Sequence, residues 1–477
     1  MPQYTVTFLP DGLTIAVETG TTLLSAQILA GLRPDAPCGG KGTCGKCRVI
    51  LDGKEVLACQ TVVDRDMTVF TEAEEKVNIL TSGIASETTP DGEHSHVLAI
   101  DIGPTTVVCY LLDGVTGKLL SQESCMNPQS QFGADVISRI QHSLDGNGEI
   151  LSRCIRNALR ELTEKVCKKV DISPEAIGTA AIVGNTAMHH LLLNIDPKPL
   201  VTPPYMPAVF EAIEKEKARI LPNIAGFVGG DTVGCMVSTR FDRQEALTLL
   251  IDIGTNGEMV LGNKNCRIAC STAAGPAFEG AKISCGMRGA EGAVDHVWLE
   301  EGEIRYHVIG DTRPKGLCGS GLLDLVAVLL DTEILDESGY LEDKAFTLCE
   351  NVTLTQKDIR EVQLAKAAIR AGIELLAENL GVEVADIQRV CLAGAFGNYM
   401  NPASACRIGM IPPVLLEKIE PIGNAAGEGA KLCALSRAEF AYSQRLARET
   451  QFLELASLPN FQDCYVDALE FAEEEEE

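Results

Sequence analysis

Four cysteines near the N-terminus limit this chain more than any other feature. They stand in Cys38-Gly39-Gly40-Lys41-Gly42-Thr43-Cys44-Gly45-Lys46-Cys47 and at Cys59, a spacing of C-x5-C-x2-C-x11-C. Thiols packed this closely must either pair or hold a metal. No basic segment leads into an apolar run at the start of the chain, and no stretch of about 18 apolar residues occurs, so neither a signal peptide nor a membrane span is expected. A cytoplasmic location follows, and there disulfides are disfavoured. The loop therefore reads as a metal site. The remaining 14 of the 18 cysteines are scattered singly and read as small buried hydrophobes. So many free thiols fit an anaerobic setting.

Two metals compete for the loop. Structural zinc favours two C-x2-C-like pairs, but here the first gap holds five residues and is rich in glycine. Plant-type [2Fe-2S] loops read C-x4-C-x2-C with a distant fourth cysteine, and this loop is one residue longer on the same logic. Glycines let the backbone wrap closely and aim N–H groups at the sulfides. Cys38, Cys44, Cys47 and Cys59 are thus the expected ligands of a [2Fe-2S] cluster. The surrounding pattern agrees: strands at 4–9 and 13–18 form a hairpin, Thr21 or Thr22 caps a helix over 23–32, and strands lie near 48–51 and 67–71. That is the order of a β-grasp ferredoxin domain, residues 1–72.

Residues 73–96 are polar and acidic and read as a flexible linker, with a root-mean-square reach of roughly 25–30 Å. Beyond it a unit repeats. An apolar strand enters Asp101-Ile102-Gly103-Pro104-Thr105-Thr106 and continues as a second strand. About 150 residues later another enters Asp252-Ile253-Gly254-Thr255-Asn256-Gly257 and does the same. Each glycine turn brings backbone N–H groups to phosphate oxygens, and each aspartate suits a hydrated Mg²⁺. Between them lies Gly229-Gly230-Asp231-Thr232-Val233-Gly234. Asp231 either caps a helix or orients a water for attack on phosphate. Gly394-Ala395-Phe396-Gly397 follows a short strand and would let adenosine lie against backbone. Gly423 to Ala430, including Gly427, is a second small-residue helix start, for which close helix packing is the plain alternative. The expected halves are 97–240 and 241–461, followed by an acidic tail, 462–477.

In this order the five elements resemble the phosphate 1, connect 1, phosphate 2, adenosine and connect 2 motifs of the acetate and sugar kinase/Hsp70/actin (ASKHA) superfamily. The resemblance implies a duplicated ribonuclease-H-like α/β fold with ATP and Mg²⁺ in the cleft between the halves. Asp101, Asp231 and Asp252 would then be catalytic, with Asp101 and Asp252 on the metal. Gly103, Thr105, Thr106, Gly254, Thr255, Asn256, Gly257, Gly394, Ala395, Phe396, Gly397 and Gly427 would hold the nucleotide. With the ferredoxin domain added, the chain resembles the reductive activators of corrinoid enzymes. Val183-Gly184-Asn185-Thr186-Ala187-Met188, Ala274-Gly275-Pro276-Ala277-Phe278-Glu279-Gly280-Ala281, Ile283-Ser284-Cys285-Gly286-Met287-Arg288 and Leu317-Cys318-Gly319-Ser320-Gly321-Leu322-Leu323-Asp324 are similar to that family's sequences. Larger members carry additional linker and middle domains between the ferredoxin and nucleotide parts, so this is expected to be a short form, similar to activators serving O-demethylase or methylamine-type methyltransferase systems.

The resemblance implies one-electron return of Co(II) to Co(I) in a corrinoid protein, a homodimer, and a low-potential donor such as ferredoxin or flavodoxin. It makes Ser284 a candidate to face the corrinoid, an ordinary turn being the alternative. A second iron–sulfur centre is not expected. A net charge of −27 argues against a nucleic-acid partner. Other functions fit parts of the pattern: an activator of a radical dehydratase or reductase, a small-molecule kinase with an accessory ferredoxin, or a nucleotide-gated binding module. The first of these usually shares a [4Fe-4S] cluster between subunits, which four cysteines in one small domain argue against.

Overall fold

A computed structural model of the protein describes residues 2–472 apart from 33, 35, 37, 43, 44, 72–78, 85, 134 and 255. The N-terminal residues build a five-stranded mixed sheet in the order Leu13–Glu18, Gln3–Leu9, Met67–Phe70, Arg48–Leu51, Lys54–Leu57. The first hairpin is antiparallel, and Gln3–Leu9 pairs in parallel with Met67–Phe70. Helix Leu23–Leu29 lies on this sheet, and Thr22 is its cap, accepting from Ser25 N at 3.2 Å. A compact core of Val6, Phe8, Leu23, Ala26 and Val69 closes the unit.

Two six-stranded sheets follow, and their centres match strand for strand. In the first, His96–Ile102 has Ile177–Gly184 parallel on one side and Thr106–Asp113 antiparallel on the other, followed by Leu119–Met126. In the second, Thr248–Ile253 has Arg389–Ala393 parallel on one side and Gly257–Gly262 antiparallel on the other, followed by Arg267–Thr272. The repeated strand–turn–strand pattern is thus the middle of each sheet. Strands flanked on both sides by helices are buried on both faces, which explains their continuous apolar runs.

Helices Gly230–Ser238 and Ala425–Leu435 pack between the sheets, with Val97, Ala99, Tyr110, Leu250 and Val260 in the same core. They meet backbone to backbone: a Cβ on Gly429 would overlap the Gly234 carbonyl. The small residues from 423 to 430 therefore do serve close packing, and the helix start they form also faces the cleft. The longest helix, Gln356–Leu380, has a full capping box from Thr355 and Asp358.

Two stretches differ from the compositional reading. Residues assigned to an acidic tail from 462 include helix Phe461–Asp467, and Phe471 is 3% exposed, because Phe461, Tyr465 and Phe471 supply apolar contacts to the core. Residues 81–84, Ser86, Thr88, Asp91 and Glu93, within the stretch read as flexible linker, hydrogen-bond to the nucleotide lobes; residues 73–78 and 85 lie outside the described ones.

Candidate functional site: a nucleotide cleft and a cysteine loop

The two central strands end side by side, so that Asp101 and Asp252 face one cleft. Each is followed by a tight glycine turn, though the two close differently: Gly103 N donates to Thr106 O, three residues on, and Gly254 N to Asn256 O, two residues on, both at 2.9 Å. The cleft encloses about 290 Å³, and Asp101, Gly103, Thr105, Thr106, Asp231, Asp252, Gly254, Asn256, Gly394, Ala395 and Phe396 all line it. Residues up to 323 apart in sequence meet here: Asn424 Nδ2 donates to Asp101 Oδ2 at 2.9 Å. Across the lobes, Thr105 Oγ1 donates to Glu279 Oε2 at 2.8 Å.

Asp231 does not cap its helix. Gly229 holds that position, and Asp231 lies in the first turn, where its own Oδ1 accepts from Thr232 N at 2.8 Å. Burial first, then the charge of Asp252, pushes Asp231 up to about 8. Burial also raises Asp101 and Asp252 to about 6, against the lowering effect of Asn424 on Asp101. Glu258 is raised well above the usual range by burial and then by Asp231 and Asp252. Five carboxylates, these four and Glu279, thus crowd a cleft whose one cation among the described lining residues is Arg288. Such a site lacks positive charge, and this chemistry fits a divalent cation brought with a nucleotide.

One end of the cleft is aromatic. Phe396 stacks on Phe278 with centroids 4.8 Å apart and planes 12° apart. Gly394 has φ +80°, and a Cβ there would lie 2.5 Å from Asp252 Oδ1, so this turn must be glycine to pass so near the carboxylate. Gly257, Gly397 and Gly427 stand behind the lining: Gly257 against Thr272, Gly397 against Leu392, and Gly427 against Tyr110 and Asn424. Thr255 lies outside the described residues. Glu258, Glu279, Phe278 and Asn424 were not singled out from sequence. All four sit in or beside motifs already noted, and only their neighbours across the cleft mark them as part of the site.

Ser284 is not in the cleft. It is exposed, and both its N–H and its hydroxyl donate to Asp358 Oδ1, at 2.7 and 3.1 Å. This ties its loop to the start of helix Gln356–Leu380. The same loop receives the cysteine domain: Lys46 Nζ donates to Gly280 O at 2.9 Å and to Gly286 O at 3.0 Å.

In the cysteine loop, Cys47 and Cys59 are buried and Cys38 is half-buried; Cys44 lies outside the described residues. Burial, then the adjoining Cys47 and Cys38, pushes the Cys59 thiol up to about 11, while a Gly42 backbone N–H pulls it down. Gly39, Gly40, Gly42 and Gly45 all have positive φ, from 61° to 85°. At Gly42 a Cβ would overlap the Gln60 amide. Among the described residues no three His, Cys, Asp or Glu side chains surround a single ion. A two-iron cluster asks only for two cysteines per iron, and three adjacent thiols on a glycine-wrapped loop fit it.

A ferredoxin-type [2Fe-2S] domain joined to a duplicated ATP-binding fold of the ASKHA type defines the class. Residues 6–70 match the 2Fe-2S iron-sulfur cluster binding domain, 96–244 the RACo middle region, and 246–477 the C-terminal domain of RACo, the ASKHA domain, so the middle region expected to be missing is present as the first lobe. The chain is 36% identical over 474 residues to the corrinoid activation enzyme RamQ of Eubacterium limosum, covering 88% of this chain and 80% of that protein. It is 23% identical to a [Co(II) methylated amine-specific corrinoid protein] reductase of Methanosarcina barkeri, covering 78% of this chain and 76% of that protein. A solved structure titled as a reductive activator for corrinoid, iron-sulfur protein matches with a TM-score of 0.71 at 30% identity, covering 98% of each chain. The chain belongs to the family of reductive activators of corrinoid proteins.

Proposed function

We propose that this protein reactivates a corrinoid protein of a methyltransferase system in an ATP-dependent cycle. One electron goes from the reduced [2Fe-2S] cluster to Co(II) of the corrinoid, which becomes Co(I) while the cluster is oxidised. A low-potential ferredoxin or flavodoxin restores the electron. The observation that carries this reading is the joining, in one chain of this family, of a cysteine loop to two facing Asp–Gly turns.

The cluster supplies an electron near −400 mV in plant-type sites. Against a more negative acceptor, a gap on the order of 0.1 V is about 2.3 kcal/mol for one electron. Holding the reduced partner more tightly than the oxidised one offsets such a gap.

Cys38, Cys44, Cys47 and Cys59 would hold the cluster. Asp101 and Asp252 would bind hydrated Mg²⁺, with Asn424 orienting Asp101. Asp231, at the start of its helix and facing both, would position the attacking water. The turns at 103–106 and 254–257 would take the phosphates by backbone N–H, with Thr105 and Thr106 adding hydroxyls. Gly394 to Gly397 would take the adenosine, with Phe278 beneath Phe396. Gly427 would act from behind by fixing Asn424. Ser284 would face the corrinoid from the loop that also receives Lys46. We place the protein in the cytoplasm as a homodimer; no described helix is long and apolar enough to cross a membrane.

The test is an anaerobic titration. The protein, Mg·ATP, a low-potential reductant and a Co(II) corrinoid protein from an O-demethylase or methylamine system are mixed and followed by ultraviolet–visible absorption. Conversion to Co(I) that needs ATP and is lost in Cys44→Ser supports the reading. Co(II) persisting with every partner, or an iron-free protein after oxygen-free purification, refutes it.

A further inference from the structure

The segment leaving the cluster domain passes over the nucleotide cleft before it enters the first lobe. Ile79 and Leu80 line the cleft beside Asp101, Thr106 and Asn424. The next residues are bonded to both lobes. Gln122, on strand Leu119–Met126 of the first sheet, donates from Nε2 to Thr81 Oγ1 at 2.8 Å. On the side of the second sheet, Ile84 N donates to Ile422 O at 3.0 Å, and Asn424 N donates to Ser82 O at 2.9 Å. Gly83 N donates to Glu428 Oε1 at 3.1 Å. Gly83 and Gly423 form an antiparallel bridge. A Cβ on Gly83 would lie 2.7 Å from Ile422 O and 2.8 Å from the Asn424 carbonyl carbon, so only glycine lets the two backbones close.

This strap therefore grips the backbone of the residue whose side chain holds Asp101. Asn424 is bonded on three sides: its N–H to Ser82, its Nδ2 to Asp101, and its Oδ1 to Gly427 N at 2.7 Å. Removing the strap frees one of the three. It also uncovers the wall formed by Ile79 and Leu80.

We propose that residues 79–84 are a working part of the nucleotide site. They are a positioning strap that sets Asn424, and through it Asp101, and that tightens when nucleotide binds. The inference rests on the nucleotide reading of the cleft but adds a segment outside the five recognised motifs. By linkage, if the strap favours nucleotide by a given factor, nucleotide favours the ordered strap by the same factor.

The experiment uses the full-length, cluster-loaded protein and a non-hydrolysable ATP analogue with Mg²⁺. Affinity is measured by calorimetry, and strap order by hydrogen exchange of the peptide containing the Gly83 and Ile84 amides. In the wild type, saturating analogue is expected to slow exchange of that peptide at least about 5-fold, the lower end of ordinary coupling. Gly83→Ala is expected to weaken analogue binding by a similar factor and abolish the protection. The nucleotide-free melting temperature should fall only modestly, as the bridge is lost, and the cluster's paramagnetic spectrum should stay as in the wild type. Ile79→Ser tests the wall without touching the bridge and should weaken binding while leaving the bridge amides protected. The inference is overturned if the wild type binds the analogue and both variants bind it equally well, or if exchange at 83 and 84 ignores the analogue. A wild type that binds no analogue overturns the nucleotide reading itself, and the inference with it.

Discussion

Replacing Asn424 should separate two contributions that meet in one side chain. Asn424 is 8% exposed and caps helix Ala425–Leu435, its Oδ1 accepting from Gly427 N at 2.7 Å. Its Nδ2 donates to half-buried Asp101 at 2.9 Å and contacts Tyr110 Oη at 3.2 Å. Asn424→Ala loses both functions. A lost cap costs about 0.5–2 kcal/mol and a lost bond to a charged group about 1.5–3, so the variant should lose about 2–5 kcal/mol. Asn424→Asp keeps the cap but sets a second carboxylate against Asp101. Two carboxylates at that distance share a proton, which raises their joint titration above the unfolded range. A group raised in the folded state stabilises at low pH and loses that stability as pH rises through its folded value. Asn424→Asp should therefore lie well below the wild type at pH 8 and recover toward it at pH 5. Asn424→Ala should recover only in part, because protonating Asp101 relieves its lost bond but leaves the lost cap. Urea unfolding of the nucleotide lobes, followed by circular dichroism at both pH values, measures this. An Asn424→Ala variant within about 0.5 kcal/mol of the wild type, a difference typical of ordinary surface changes, would refute the reasoning. So would an Asn424→Asp variant indifferent to pH.

Other outcomes follow from single contacts. Asp231→Asn should slow ATP hydrolysis by about 10²–10⁴-fold while the affinity for an ATP analogue changes far less, as single-turnover and binding measurements would show. Gly429→Ala would drive a methyl into the Gly234 carbonyl and should cost about 1–3 kcal/mol or more, read from the melting temperature. Lys366 is 1% exposed, and burial, then Arg370, pulls it down to about 7. The unfolded chain, with lysine near 10.4, then binds more protons between about pH 7 and 10.4, so this group makes stability rise with pH there, by at most about 1.4 kcal/mol per unit. Lys366→Met should remove that slope, which paired denaturation series across this window would detect.

Much of the chemistry is local and therefore legible in the chain itself. The cysteine loop carries its ligands and its glycines within ten consecutive residues plus Cys59, and the strands around it alternate in ways that need no distant partner. The two Asp–Gly turns repeat because each follows the central strand of its own sheet, and a turn between hydrogen-bonded strands is a short-range object. The remaining parts of the site depend on topology. Thr105 meets Glu279 across 174 residues, and Asn424 meets Asp101 across 323. Nothing in either neighbourhood specifies the other until two sheets close on one cleft. The strap is the sharpest case. It reads as linker because it lies in a stretch, 73–96, that is polar and acidic on average, although Ile79, Leu80 and Ile84 are themselves apolar. What holds it is mostly backbone: the N–H groups of Gly83 and Ile84, the carbonyl of Ser82, and a missing Cβ that lets Gly83 reach Gly423. Backbone donors and acceptors are the same in every residue, so which ones pair is decided only when the fold brings the two chains of atoms together.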